Sequence, residues 1–253
     1  MAEIEKAALV TGGARRIGAE IVRGLANAGF AVAIHCRSSR DAANDLAEEI
    51  RRDGGRAEVF AADLSAPEAC ETLIDEAATA LGPIRLLVNN ASAFEPDGPT
   101  ELDWAKWDHH FAIHLKAPVA LAGRFATALP GNLDGLVVNI IDQRIWRLNP
   151  RFFSYTLSKS ALWTATQTMA QALAPRVRVN ALGPGPTMKN DRQSEADFRR
   201  QTESVMLGHG PTLEEFVRTI LYLWEAKSVT GQMIAIDGGQ HLAWETRDVT
   251  GTE

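Results

Sequence analysis

Cysteine is nearly missing from this chain. Cys36 and Cys70 are the only two in 253 residues, too few for a disulfide framework and without the spacing of a metal site, which fits a reducing compartment. Long apolar runs are missing as well: the longest stretch without a charge, residues 160–175, carries three Thr and two Gln and falls short of the roughly 18 apolar residues of a spanning helix. Positive charge is in deficit, with 26 Lys+Arg against 32 Asp+Glu for a net charge of −6. That balance argues against nucleic acid or an anionic membrane as a partner, so any cation site has to be local. Residues 1–6 are polar and acidic where an export signal needs a cationic start and an apolar stretch, and a cytoplasmic protein is expected. What remains is ordinary. Hydrophobic residues at 45% and charged residues at 23% match a globule and exclude disordered, collagen-like and coiled-coil chains.

Short apolar runs alternate with longer amphipathic segments, the order that builds βαβ units around a parallel sheet. Seven strands are expected, at 7–10, 31–35, 57–61, 86–89, 136–141, 177–182 and 233–236. Runs such as Leu136-Val137-Val138 show no polar alternation, as when helices cover both faces of a sheet. Helices are expected at 18–28, 40–53, 67–81, 104–128, 155–173 and 213–224, the last opened by the capping-box pair Thr212 and Glu215. The fold class is therefore α/β, a single Rossmann-type doubly wound domain over residues 1–253. Residues 183–210 are polar, rich in Gly and Pro, and follow the sixth strand. Ligands bind at the carboxyl ends of such strands, so this segment reads as a substrate lid with a short helix near 195–203, against the alternative of an idle surface insertion. A polar tail starts at about residue 243.

The first strand runs into Thr11-Gly12-Gly13-Ala14-Arg15-Arg16-Ile17-Gly18 and then a helix, the context in which a glycine turn cradles a dinucleotide pyrophosphate. Gly12 permits the tight turn and Gly18 the close approach of the helix. Arg16, beside Arg15, stands where such turns usually carry a middle glycine. The pair is read as contacting phosphate or an anionic part of the substrate, with solvated surface charges as the alternative. At the end of the second strand, His35-Cys36-Arg37-Ser38-Ser39 holds no acid before Asp41. Arg37 and Ser38 suit a 2′-phosphate, so the cofactor is read as NADP(H), specifically NADPH.

Tyr155 and Lys159 are four apart at the head of a helix and share a face. Asp142 closes the strand before them, Asn89-Asn90-Ala91-Ser92 the strand before that, and Asp237-Gly238-Gly239 the last strand. With these motifs, residues 7–242 resemble the short-chain dehydrogenase/reductase family. The resemblance implies hydride transfer from nicotinamide, with Tyr155 as proton donor and Lys159 lowering its pKa and holding the nicotinamide ribose. It places Asp63 near the adenine and counts Ile17, His35, Leu64, Asn90, Ala91, Ser92, Pro184 and Gly185 with Gly12, Arg15, Arg16, Gly18, Arg37 and Ser38 at the cofactor.

Two positions depart from the family pattern: Asp142 stands in place of the usual serine and His114 in place of the usual asparagine. Asp142, Arg16, Asn90 to Phe94 and the run at 35–38 are similar to pteridine reductases and dihydromonapterin reductases. That likeness implies a small pterin-like substrate stacked on Phe94 and bounded by Arg16, Asp142 and Tyr155, with Asp142 in the proton network. His114 is counted at the reaction centre through its backbone. Pro118, four residues on, has no N–H, so the helix should kink and leave the His114 carbonyl free; the family resemblance implies that this carbonyl holds a water linked to the lysine, a role in which the imidazole is dispensable. A carbonyl reductase of the same family and a non-catalytic NADP(H)-binding sensor or scaffold stand as alternatives. Fold analogy implies a homotetramer. No metal ligands are expected, and His109, His110, His209 and His241 receive no role.

Overall fold

The apolar runs without alternation become strands buried on both faces. In the computed structural model, which describes residues 6–189 and 192–244, every residue of β1 (Ala7–Val10), β2 (Ala31–Cys36) and β5 (Gly135–Ile140) is buried. With β3 (Ala57–Ala61), β4 (Ile84–Asn89), β6 (Val177–Pro184) and β7 (Met233–Ile236) they form one parallel sheet in the order β3-β2-β1-β4-β5-β6-β7. The chain winds outward from β1 to β3, then returns to lay β4 beside β1. That reversal opens a crevice beyond the carboxyl ends of β1 and β4, where doubly wound sheets bind ligands.

Alternate strand residues serve opposite layers. Ala8 and Val10 face the layer of α1 (Arg16–Asn27), α2 (Arg40–Arg52) and α8 (Leu213–Glu225). Ala7 and Leu9 face that of α3 (Pro67–Leu81), α5 (Ala117–Ala128) and α6 (Phe153–Ala172). The capping box at Thr212 and Glu215 opens α8 as expected. A more distant group serves α6: the Asp97 carboxylate accepts the Ser154 N–H at 3.1 Å.

One expected element is corrected. Residues 104–128 form α4 (Trp104–Phe111), a π-helical turn over Ala112–Lys116, and α5. Pro118 takes the second position of α5, where an intrahelical N–H is not needed. The wide turn, with the Ala117 N–H bonded to the Ala112 carbonyl, carries right-handed helical dihedrals through Lys116 and Ala117, and interrupts the single helix expected over 104–128. The segment after β6 contains α7 (Glu195–Glu203), as expected. The N-terminal reading falls largely on residues 1–5 and the polar tail on 245–253, outside the described residues. Among the described residues, no helix is long and apolar enough to cross a membrane.

Gly24 of α1 lets α8 approach: a Cβ there would fall within 3 Å of three Val217 atoms. Gly24→Ala is expected to lower stability by about 1–3 kcal/mol through overpacking. Adding Val217→Ala should cost less than the sum of the two single changes, as read from urea unfolding midpoints.

Candidate active site at the switch point

The glycine turn is held from both sides. Thr11 Oγ1 accepts the Asn90 and Ala91 N–H groups at 2.9 and 3.0 Å, and Asn90 Nδ2 donates to the Thr11 and Gly12 carbonyls at 2.9 and 3.1 Å. Gly12 has φ +61°, and a Cβ on Gly18 would collide with the Gly12 carbonyl and Asn90 Nδ2. On the other flank, the Gly12 N–H donates to His35 Nδ1 at 3.1 Å. Nε2 therefore carries the ring proton and donates to the Ala62 carbonyl at 3.1 Å. Burial lowers the His35 pKa and keeps this tautomer neutral. The side chains of His35 and Asn90, expected to meet the cofactor, shape the turn, and His35 also lines the cleft beside it.

What the turn presents is an open helix start. α1 has no side-chain cap and no acid in its first turn, so its N–H groups and positive end are available to an anion. A cleft of about 420 Å³ runs from Gly12 and Arg15 past Arg37 and Ser38 to Leu64, Ala91 and Phe94. Asp63 accepts the Ser65 N–H and Oγ–H at 2.9 and 2.7 Å, bonds that, with Arg37 nearby, hold its carboxyl below the usual range. Ile17 packs on the core. Pro184 pairs with Ile236, and a Cβ on Gly185 would sit 2.6 Å from Asp237 Cα. Arg16 adopts the left-handed φ of +55° that a middle glycine would favour. Its guanidinium donates to the Lys189 and Met188 carbonyls at 3.0 and 3.4 Å, joining the turn to the segment after β6. A hollow of about 440 Å³ at the amino ends of the strands, near Lys6 and Arg23, gathers none of these groups.

At the reaction centre, Tyr155 Oη donates to Asp142 Oδ2 at 2.8 Å. Asp142 Oδ1 accepts the Arg144 N–H at 2.8 Å, and Arg144 Nε lies 3.7 Å from Oδ2. Burial, then the charge and hydrogen bond of Asp142, push the Tyr155 pKa well above its usual value, with Arg144 opposing. Burial also raises the Asp142 carboxyl, against the pull of the Arg144 amide and guanidinium. Lys159, expected to lower the Tyr155 pKa, holds its Nζ 5.9 Å from the Tyr155 ring centroid. Lys159 Nζ donates to the Ile140 carbonyl at 2.7 Å, and burial brings the ammonium down to about 8. In this structure the phenol keeps its proton, and the cation that counters its rise is Arg144.

Phe94 stacks on Phe152 at 4.2 Å and 8° and meets Tyr155 edge-on at 4.8 Å. The Arg144 guanidinium lies 5.3 and 4.9 Å from the Phe94 and Phe152 ring centroids, and Arg192 donates to the Phe94 carbonyl at 2.8 Å. His114 has more than a backbone role. Its Nε2 accepts the Ala93 N–H at 3.1 Å and lies 3.0 Å from Ser92 Oγ, and its Nδ1 lies 2.8 Å from Ser158 Oγ. The imidazole is thus hydrogen-bonded into the site on both edges, a role beside the backbone one expected of His114. Arg144, Phe152, Arg192 and His110 were not foreseen. Only His110 carried a signal, its spacing of four from His114.

Residues 6–199 match the family profile described as short chain dehydrogenase. A short-chain type dehydrogenase/reductase of Picea abies is 30% identical over 249 residues, covering 93% of this chain and 92% of that protein. A dihydromonapterin reductase of Klebsiella pneumoniae is 28% identical, covering 92% and 96%. The crystal structure of FolM alternative dihydrofolate reductase 1 from Brucella suis in complex with NADP superposes with a TM-score of 0.95 and 59% identity, covering 97% of this chain and 98% of that one.

The chain has two tyrosines, Tyr155 and Tyr222, so in a Tyr222→Phe background tyrosinate absorbance reports Tyr155 alone. Asp142→Ser removes a negative charge and an acceptor, and should lower the titration midpoint by about one unit or more. Arg144→Gln removes the opposing cation and should raise it. A midpoint that Asp142→Ser leaves in place would show that the two groups are not coupled.

Proposed function

The chain belongs to the short chain dehydrogenase family, and we propose that within it the protein uses NADPH to reduce the C=N bond of a dihydropterin. The observation that carries this reading is the Tyr155–Asp142 hydrogen bond set beside the Phe94 ring. A proton donor, a buried carboxyl and an aromatic face meet at one point. The 59% identity to the Brucella suis protein and the relation to a dihydromonapterin reductase support the same substrate class.

The cleft fits NADPH. The uncapped start of α1 offers N–H donors to a pyrophosphate. Exposed Arg37 and Ser38 line the cleft without an acid before Asp41, which suits a 2′-phosphate. When bound, the cofactor supplies the hydride that goes to the carbon of the C=N bond. The chain's own part is the proton. Tyr155 donates it to the nitrogen, and the high phenol pKa set by burial and Asp142 keeps that proton in place until the nitrogen becomes basic. Asp142, held by Arg144, is the neighbour through which the phenol regains a proton. Lys159, buried with its pKa near 8, braces the Ile140 carbonyl and is assigned the nicotinamide ribose by family likeness. Phe152 backs Phe94 on one face, and the Arg144 and Arg192 guanidinium groups lie 5.3 and 5.4 Å from its centroid, so a flat substrate on this ring meets cations at its side. The segment 183–210 acts as the lid, tied down through Arg16 and Arg192.

Two measurements test this. Purified protein should oxidise NADPH with dihydromonapterin or dihydrobiopterin, and Phe94→Ala should raise KM about tenfold, equivalent to about 1–1.5 kcal/mol of stacking. Oxidation of NADPH with simple ketones but with no dihydropterin would instead mark a carbonyl reductase. Arg37→Ala should cut the preference for NADPH over NADH, as the ratio of kcat/KM, about tenfold or more through loss of a charge-assisted contact. An unchanged ratio removes Arg37 from the cofactor site.

A further inference from the structure

His110 in α4 and His114 in the π turn are four residues apart, and each makes the same pair of bonds. His114 Nε2 accepts the Ala93 N–H at 3.1 Å, and His110 Nε2 accepts the Glu95 N–H at 3.4 Å. On their other edges, His114 Nδ1 meets Ser158 Oγ and His110 Nδ1 meets Ser154 Oγ, both at 2.8 Å. The two serines are themselves four apart on α6, and the two rings stack at 5.5 Å and 14°. A backbone N–H can only donate, so each Nε2 is an acceptor and each Nδ1 bears the proton that points at a serine. Both rings are therefore neutral, and burial lowers both pKa values in agreement.

Residues 90–96 have no regular secondary structure, so their amides find no ladder partner and need acceptors from elsewhere. The imidazoles supply them at positions 93 and 95. Between the two tethered amides lies Phe94. Tyr155 sits on the same rings, edge-on to His114 at 5.3 Å and to His110 at 6.0 Å. Two rungs thus run from α6 through the stacked imidazoles to the loop, and hold Phe94 from both sides. With one rung, the loop could pivot about a single bond.

We propose that His110 and His114 are paired positioning residues that fix Phe94 beside Tyr155 by binding the Ala93 and Glu95 amides, and so set the aromatic wall against which a flat substrate lies. The effect on substrate rests on the reading of Phe94 as that wall; the clamp on the loop does not.

Shorter side chains separate the two edges of each ring. Glutamine places its amide oxygen near the Nε2 position and keeps the loop bond. Asparagine reaches only the Nδ1 position and keeps the serine bond. His110→Asn and His114→Asn should each raise KM for a dihydropterin by about tenfold with a smaller change in kcat, and the glutamine variants should recover most of that loss. In a Phe94→Ala background the same changes should add less than about threefold, because they act through the missing ring. Amide hydrogen exchange at Ala93 and Glu95 gives the clamp its own readout: faster in the asparagine variants, near wild type in the glutamine ones. The proposal is overturned if asparagine protects these amides as well as glutamine, or if the KM effects stay additive with Phe94→Ala. A wild-type protein inert towards dihydropterins would sink the pterin reading alone, since the exchange rates still decide the clamp.

Discussion

β1 and β4 lie side by side in the sheet although 73 residues of chain separate the end of one from the start of the other, and their carboxyl ends must diverge without leaving backbone groups bare. The junction of Thr11 with Asn90 and Ala91 meets that constraint. One hydroxyl accepts two amides and one carboxamide donates to two carbonyls. The glycine turn hangs from one side of this junction and the loop with Phe94 from the other. Cofactor cleft and aromatic wall therefore take their positions from four short hydrogen bonds between the residues that directly follow two strands.

Around this junction the hydrogen bonds give His35, His114 and Tyr155 each a defined proton. His35 and His114 are held as opposite neutral tautomers by the backbone N–H that each accepts. Tyr155 is held protonated by Asp142, and Asp142 is held by Arg144. Burying a carboxyl beside a phenol is unfavourable unless both are hydrogen-bonded. Here the Tyr155 hydroxyl and the Arg144 backbone N–H donate to the carboxylate, and the Arg144 guanidinium stands 3.7 Å away as its counter-charge. A serine in place of Asp142 would have set no such sign on the phenol.

The sheet was readable because strands covered on both faces must be continuously apolar, and β1, β2 and β5 are buried at every position. The glycine turn was readable because its backbone angles admit few residues, and Tyr155 with Lys159 because helical spacing puts them on one face. Side-chain roles that depend on distant partners were not. His110 reaches Ser154, 44 residues away, and nothing in the local sequence marks that pairing. Arg144 gains its influence from burial next to Asp142, a property of packing. Lys159 shares a helix face with Tyr155, but the bond of its ammonium to the Ile140 carbonyl is a product of packing. The π turn escaped because Pro118 looks the same in sequence whether it breaks a helix or sits at the second position of a new one.

Arg16 shows how a locally poor choice serves a wider arrangement. A left-handed backbone costs an L-residue with a Cβ about 1–2 kcal/mol, a penalty glycine would avoid. Yet glycine has no side chain with which to reach the carbonyls of Met188 and Lys189. The strain at one residue is thus spread across a contact 173 residues long in sequence, and the backbone geometry of the turn becomes mechanically continuous with the segment after β6. A smoother turn at this position would be a more relaxed structure with two independent parts in place of one linked one.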